Sequence, residues 1–254
     1  MKLMQLRSVL TALCVTLVSA GGVASAANLA LSIGIRETGG SGPAFSDAGT
    51  GGGIEWVNRD GQSLVADGTW QQFTFTPSTD TLTAFAGTTA NGILDTDWAS
   101  LEHIRILNSD GTTQPIRLWI DDVTNTDSAG VAVEGFEAFA VGDEVMFQEP
   151  GFSGSTSGNV VAGGTSAVSD AMANTGSQSY EVNFQFVDDT PTRWVRLTSF
   201  GAANLQDAAV HVREANFNPT ISFMAKATVI PEPGSIVLAG LAVVGLLAVR
   251  RRAA

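Results

Sequence analysis

Large apolar residues recur at every second position in several stretches of this chain. Leu29, Leu31, Ile33 and Ile35 alternate with Ala30, Ser32 and Gly34. Phe73 and Phe75 alternate with Thr74 and Thr76, and Ile116, Leu118 and Ile120 with Arg117 and Trp119. Val182, Phe184 and Phe186 alternate with Asn183 and Gln185, and Ile221 and Phe223 flank Ser222. Period two marks a strand with one face buried. Turn-forming pairs fall between these stretches: Asp60-Gly61, Asp67-Gly68, Asn91-Gly92, Asp110-Gly111, Glu149-Pro150-Gly151 and Asn218-Pro219. No sustained helical period occurs in the body, and Ser169–Asn174 is its one stretch compatible with a short helix. Many short strands with regular turns predict an all-β, antiparallel β-sandwich.

Both ends of the chain break this pattern. Lys2 and Arg7 precede the apolar run Val9–Val18, and Ala24-Ser25-Ala26 follows. A basic start, a short apolar run and an A-x-A site describe a signal peptide over 1–26, cleaved after Ala26 by export through the Sec machinery. An uncleaved anchor is the alternative, and the run is short for one. Leu13 before Cys14 does not fit a lipoprotein site. At the far end, Pro231-Glu232-Pro233 leads into an apolar segment, 234–249, and then Arg250-Arg251-Arg252. Its physical reading is a transmembrane helix whose arginines hold the C-terminus on the cytoplasmic side.

Charge narrows the body's function. Residues 28–230 carry 8 basic and 24 acidic side chains, a net charge of −16. That field repels phosphate backbones and argues against a nucleic-acid partner. The only cysteine, Cys14, lies in the leader, so the mature body has neither disulfide nor thiol chemistry. Two histidines, His103 and His211, leave little for a His-based centre.

The order Pro-Glu-Pro, apolar segment and arginine cluster over 229–254 resembles the PEP-CTERM sorting signal. The resemblance implies an exosortase as processing partner, acting near Pro231-Glu232-Pro233, and a transient stay in the inner membrane. It further implies a Gram-negative host that makes extracellular polysaccharide, with the mature protein at the cell surface or in the extracellular matrix. A generic tail anchor is the alternative. The signal is an address and implies no activity.

The body divides into blocks 28–126 and 131–228. The second block contains Gly135-Phe136-Glu137, Ser153-Gly154-Ser155-Thr156, Thr175-Gly176-Ser177, Trp194-Val195-Arg196-Leu197-Thr198 and Asn218-Pro219-Thr220-Ile221-Ser222-Phe223. These resemble the opening half of a galactose-binding-like, carbohydrate-binding-module jelly roll. The first block, with Leu31–Thr38, Gly53–Val57, Gly68–Phe75 and Trp119–Val123, resembles the closing half. The halves stand in swapped order, which implies one circularly permuted jelly roll over 28–228. Its new termini would lie beside adjacent strands, and the Thr124–Ala132 loop would join the old ones. Two sandwiches in tandem are the alternative.

The resemblance implies a glycan-binding function and one structural calcium. The calcium would sit at Glu137, with Asp121 or Asp122 and Glu134; hard cations take several oxygens, and converging carboxylates need a neutralising charge. The alternative is solvated surface acids. Asp95-Thr96-Asp97, with Glu102, forms a second acidic group that loop polarity explains. Sugars stack on flat aromatic faces, so Trp56, beside Glu55 and Asn58 and with Arg36 and Glu37 on a neighbouring strand, is the candidate sugar site. Trp98 is a second candidate. The alternative is that the tryptophans are core residues of the sandwich. No Gly-x-Ser-x-Gly elbow or His-Glu-x-x-His motif occurs, and Gly39–Gly53 lacks the Lys-Ser/Thr of a phosphate loop. The expected function is therefore a non-catalytic binder of glycan or matrix polymer. A structural or adhesive matrix protein is the second reading, and a glycoside hydrolase or lyase the third.

Overall fold

A computed structural model describes residues 26–37, 53–95, 98–127, 130–200, 213–215 and 220–230. The expected leader with Ala24, the segment 234–249, and the sorting residues Pro231, Glu232, Pro233, Arg250, Arg251 and Arg252 lie outside these residues. Among the described residues no helix is long and apolar enough to cross a membrane.

The described chain is all-β, with two antiparallel sheets. The strands are β1 (Asn28–Glu37), β2 (Ile54–Val65), β3 (Gln71–Phe75), β4 (Leu82–Ala86), β5 (Trp98–Asn108), β6 (Ile116–Asp127), β7 (Gly130–Glu134), β8 (Thr165–Ser169), β9 (Ser179–Phe184), β10 (Trp194–Thr198), β11 (Arg213–Ala215) and β12 (Ile221–Val229). Sheet 1 runs β10-β5-β1-β2-β4, with β11 also on β5. Sheet 2 runs β3-β12-β6-β9-β8, with β7 also on β6. Both sheets draw strands from residues 28–126 and from 131–228, and Ala27–Ile230 forms one compact unit.

The alternation seen in the sequence becomes a single apolar core. Leu29, Leu31, Ile33 and Ile35 of sheet 1 join Phe73, Leu118, Ile120, Val182 and Phe223 of sheet 2 in one buried cluster. Strand β12 alternates buried and half-buried residues along most of its length, as a strand with one wet face should. Strand β1 differs, because nearly every residue is buried. Its outward positions are Ala30, Ser32 and Gly34, whose small side chains leave room for long ones from the neighbouring strands.

Two of the irregularities in sheet 1 bear on the site. Leu31 pairs with Gln62 but Ile33 with Val57, so Asn58–Gly61 bulge out opposite Ser32. Asp60-Gly61 therefore makes its turn inside β2 and does not end a strand. Gly61 has φ +81° and Asn58 φ +50°, left-handed values suited to such an excursion. In the other ladder Gly34 pairs with His103 but Ile35 with Leu101, which leaves Glu102 as the extra residue.

Three sequence expectations are corrected. Ser169–Asn174 is not helical: Ser169 ends β8 and its hydroxyl donates to Glu181 at 2.9 Å, with bends following. The expected Thr124–Ala132 loop is largely strand, because β6 pairs with β7 from Val123↔Glu134 to Asp127↔Gly130. Strands β1 and β12 are not hydrogen-bonded neighbours; they lie in different sheets.

The ends of the body nevertheless meet. Ala66 N–H donates to Ala27 O at 2.8 Å, and Gly68 N–H donates to Ala227 O at 2.9 Å. The Ala66–Gly68 crossover between β2 and β3 thus holds the start of β1 and the end of β12 together.

Candidate functional site

The outward face of sheet 1 concentrates the polar chemistry of the body. The bulge at Glu102 brings it and His103 to the same side of β5. A Cβ on Gly34 would overlap the His103 imidazole, so the glycine gives the ring its place. His103 Nδ1 is hydrogen-bonded to Glu102, and Trp56 Nε1 donates to His103 Nε2 at 3.0 Å. These partners fix the tautomer: Nδ1 carries the proton and Nε2 accepts.

Two arginines converge on the same carboxylate. Arg196 forks onto Glu102 through Nε, at 3.3 Å, and Nη2. Arg36 Nη2 lies 3.6 Å from Glu102 Oε1. Burial alone would raise the Glu102 carboxyl, but His103 and the Arg196 guanidinium outweigh it and hold the group at about 2. Burial lowers His103, which stays neutral.

An aromatic cluster packs over this network. Trp56 stacks on Phe85 with ring centroids 4.3 Å apart, and Trp194 stands edge-on to Trp56 at 5.7 Å and to Phe85 at 5.8 Å. Guanidinium groups lie over the rings: Arg59 is 4.8 Å from Trp56, Arg105 is 5.4 Å from Trp194, and Arg196 is 5.2 Å from Phe85. Such contacts contribute about 0.5–2 kcal/mol each, according to their exposure.

The structure brings together only part of the sugar site expected from sequence. Arg36 and Trp56 share this face, since Gly34 pairs with Trp56 and Arg36 with Ile54. Glu37 does not join them. It points to the other side of β1, is buried, and accepts Asp95 N–H at 2.5 Å. Glu55 is likewise buried and accepts Asn91 and Gly92 N–H at 2.7 and 3.0 Å. Trp56 is only 8% exposed. Trp119 is also buried and donates to Glu181 at 2.9 Å, whereas Trp70 and Trp194 are half-buried. Trp98 begins β5, and its side chain lies outside the described residues. Glu102 is not the loop acid that its neighbours in sequence imply; it is the buried centre of the charged network. Sequence reasoning also passed over His103, Arg105 and Arg196, which the chain separates widely from Trp56.

The expected calcium ligands lie at the β6–β7 end of sheet 2. Asp121 Oδ2 accepts Asn174 N–H at 2.6 Å and Thr175 N–H at 3.2 Å, and its Oδ1 accepts Asp122 N–H at 2.7 Å. Asp122 accepts Asn174 Nδ2 at 2.7 Å and the Thr175 hydroxyl. Glu137 accepts Ser177 and Gln178 N–H, both at 2.8 Å, and Glu134 accepts Phe136 N–H at 2.6 Å. The carboxylates therefore face hydrogen-bond donors and clamp the 174–178 loop. Among the described residues, no three His, Cys, Asp or Glu side chains form a group that could hold a metal. A cation held by these carboxylates would take the place of the loop donors that they now accept.

Comparison with known proteins places one segment. The PEP-CTERM protein-sorting motif matches residues 229–252. No curated protein and no solved structure matches the chain. The motif supports an exported surface protein that an exosortase processes through a membrane-anchored intermediate.

Proposed function

We propose that the sorted body is a non-catalytic binding module for a glycan or matrix polymer, and that the outward face of sheet 1 is its binding surface. The observation that carries this reading is the pairing of an aromatic cluster with arginines at its rim. Trp194 is half-buried, and the Arg36 and Arg196 side chains keep 19% and 16% of their surface in solvent. Sugars present apolar ring faces and hydroxyls, which aromatic and charged groups receive together. The surface is read as non-catalytic because both nitrogens of His103 are engaged, the Nε2 lone pair by Trp56 N–H and Nδ1 by Glu102, so neither is free for proton transfer. Extracellular polysaccharide of a Gram-negative host is the proposed partner.

Affinity electrophoresis in gels containing polysaccharide tests the reading. The wild-type chain should be retarded and Trp194→Ala retarded less. Loss of retardation for every polymer would favour the structural or adhesive reading, which the burial of Trp56 and Trp119 supports.

We also propose that 28–228 is one circularly permuted jelly roll rather than two tandem sandwiches. Sharing of both sheets between the blocks, and the meeting of Ala27 with Ala227 at the Ala66–Gly68 crossover, support it. A calcium at Asp121, Asp122, Glu134 and Glu137 is a separate proposal. Thermal unfolding in calcium and in EDTA tests it: a higher Tm in calcium supports the ion, and equal values leave the loop donors as the carboxylates' partners.

A further inference from the structure

The sorting motif and the folded body overlap. The motif matches from residue 229, while β12 runs to Val229 and Ile230 still bonds to the body. Val229 pairs with Ile116 at the last rung of the β6–β12 ladder, and Ile230 N–H donates to Pro115 O at 2.8 Å. The rung before is held on both sides: Thr228 pairs with Arg117 of β6 and bridges to Asp67. One residue earlier, Gly68 N–H donates to Ala227 O at 2.9 Å, and Ala227 is fully buried. The end of β12 is thus flanked by the Ala66–Gly68 crossover on one side and by β6 on the other, and Val229 packs against the core.

A protease that takes its substrate as an extended strand pairs with the same backbone groups that a sheet uses. At Val229 and Ile230 the sheet already engages them, through Ile116 and Pro115. The peptide just upstream of Pro231 is β12 itself, so enzyme and sheet compete for the same two residues. Strand ends open locally, and a partner that binds only the open form acts with its affinity reduced by the open fraction.

We propose that the end of β12, Thr228–Ile230, gates processing: the exosortase engages its motif only when these residues leave β6, so the rate of sorting follows the opening of this corner. The inference rests on the exosortase as processing partner and adds what the body contributes to the step. Cleavage breaks one peptide bond near Pro231-Glu232-Pro233 and, with water as the acceptor, leaves a carboxylate on the body and an amine on the tail. Val229 and Ile230 then return to Ile116 and Pro115, which withdraws the new end from the enzyme. A body whose β6–β12 ladder is incomplete is cut sooner than a finished one.

The test follows the full chain by pulse-chase in its exosortase-bearing host. Gels read the loss of the membrane-anchored form, and mass spectrometry reads the new C-terminal residue. One variant inserts Gly-Ser-Gly-Ser-Val-Ile between Ile230 and Pro231, so that the sheet keeps its own Val-Ile and the enzyme meets a free copy. A second, Arg117→Cys/Thr228→Cys, joins β6 to β12 through a disulfide that gels without reductant verify. Opposed residues of antiparallel strands have Cα atoms about 4.5–5.5 Å apart, within disulfide reach. Residues 28–230 contain no cysteine to compete.

Rungs flanked on both sides should be open less than about a third of the time, so the insert should speed processing at least about threefold. The disulfide should slow it at least about threefold, and a thiol reductant should restore the rate while leaving the wild type unchanged. An insert processed no faster than the wild type overturns the gate. A faster insert beside an unaffected disulfide variant also overturns it, and assigns the effect to the bulk of the body rather than to β12. A wild-type chain that is never shortened overturns the processing step and the gate with it. Equal unfolding temperatures for insert and wild type, within a few degrees, certify that a faster cut is not a looser body.

Discussion

His103 occupies the space that a side chain on Gly34 would need. The two residues pair directly across the β1–β5 ladder, and the imidazole is fully buried there. The smallest residue of β1 thus sets the position of the Glu102 and Trp56 partners.

Gly34→Ala should therefore be destabilising although alanine suits a strand better than glycine. The ring must leave, and its bonds to Glu102 and Trp56 go with it. Overpacking of this kind costs about 1–3 kcal/mol. Thermal unfolding should show a lower Tm, and Trp56 fluorescence should change. An unchanged Tm would mean that the ring has another resting place.

Acid should weaken the body in two stages. His103 is held neutral, below its ordinary value, so the unfolded chain binds a proton that the folded chain refuses. Stability then falls as pH drops below about 6.5, by up to about 1.4 kcal/mol per unit. Glu102 is depressed to about 2, so its contribution is present above its ordinary value of 4.5 and is lost as pH falls towards 2. Urea unfolding from pH 7 to pH 3 should show both stages, and His103→Gln should remove the first and shrink the second, because His103 is one of the groups that hold Glu102 down.

How much of this was legible in the sequence depends on phase. Strands β1, β3, β9 and β12, and β6 as far as Ile120, keep a period of two, and the alternation finds them. Strand β5 does not. Leu101, Ile104 and Ile106 face the core, but Glu102 and His103 both turn outward at the bulge, so the pattern slips by one residue. The same slip hid the charged network. Arg36 and Trp56 were recognisable because adjacent strands carry them, whereas Arg105 and Arg196 reach the face through strand order, which local sequence does not encode. The row Ala30, Ser32, Gly34 was the available signal: small rather than polar partners for large apolar residues mean that something covers them.

Asp121 should matter through its three N–H partners. Asp121→Ala would leave the Asn174, Thr175 and Asp122 amides without their acceptor. The expected cost is about 1–3 kcal/mol. Hydrogen exchange should accelerate at Asn174 and Thr175 while the amides of β1 stay protected. Equal exchange at both places would show that the loop is held by other contacts.

Phe223 probes the shared core. It is 1% exposed on β12 and stacks with Phe73 at 5.6 Å and Phe75 at 6.1 Å. Phe223→Ala should cost about 3–5 kcal/mol. Because β12 pairs with β3 and β6 of the other block, unfolding should stay a single transition at lower temperature. Two separated transitions would show that the blocks melt independently.

The crossover at Ala66–Gly68 bears on how the body carries force. Two hydrogen bonds at this one corner hold Ala27 and Ala227, from opposite sheets. A pull that separates the ends of the body also meets the strand ends beside this corner, where Asn28 pairs with Val65 and Ile230 N–H donates to Pro115 O at 2.8 Å. A pull between the C-terminal end and a polymer on the outer face of sheet 1 takes another path, across the full thickness of the sandwich. End-to-end tension therefore opens strand bonds from their ends, pair by pair, whereas tension across the sandwich is shared by the packed core.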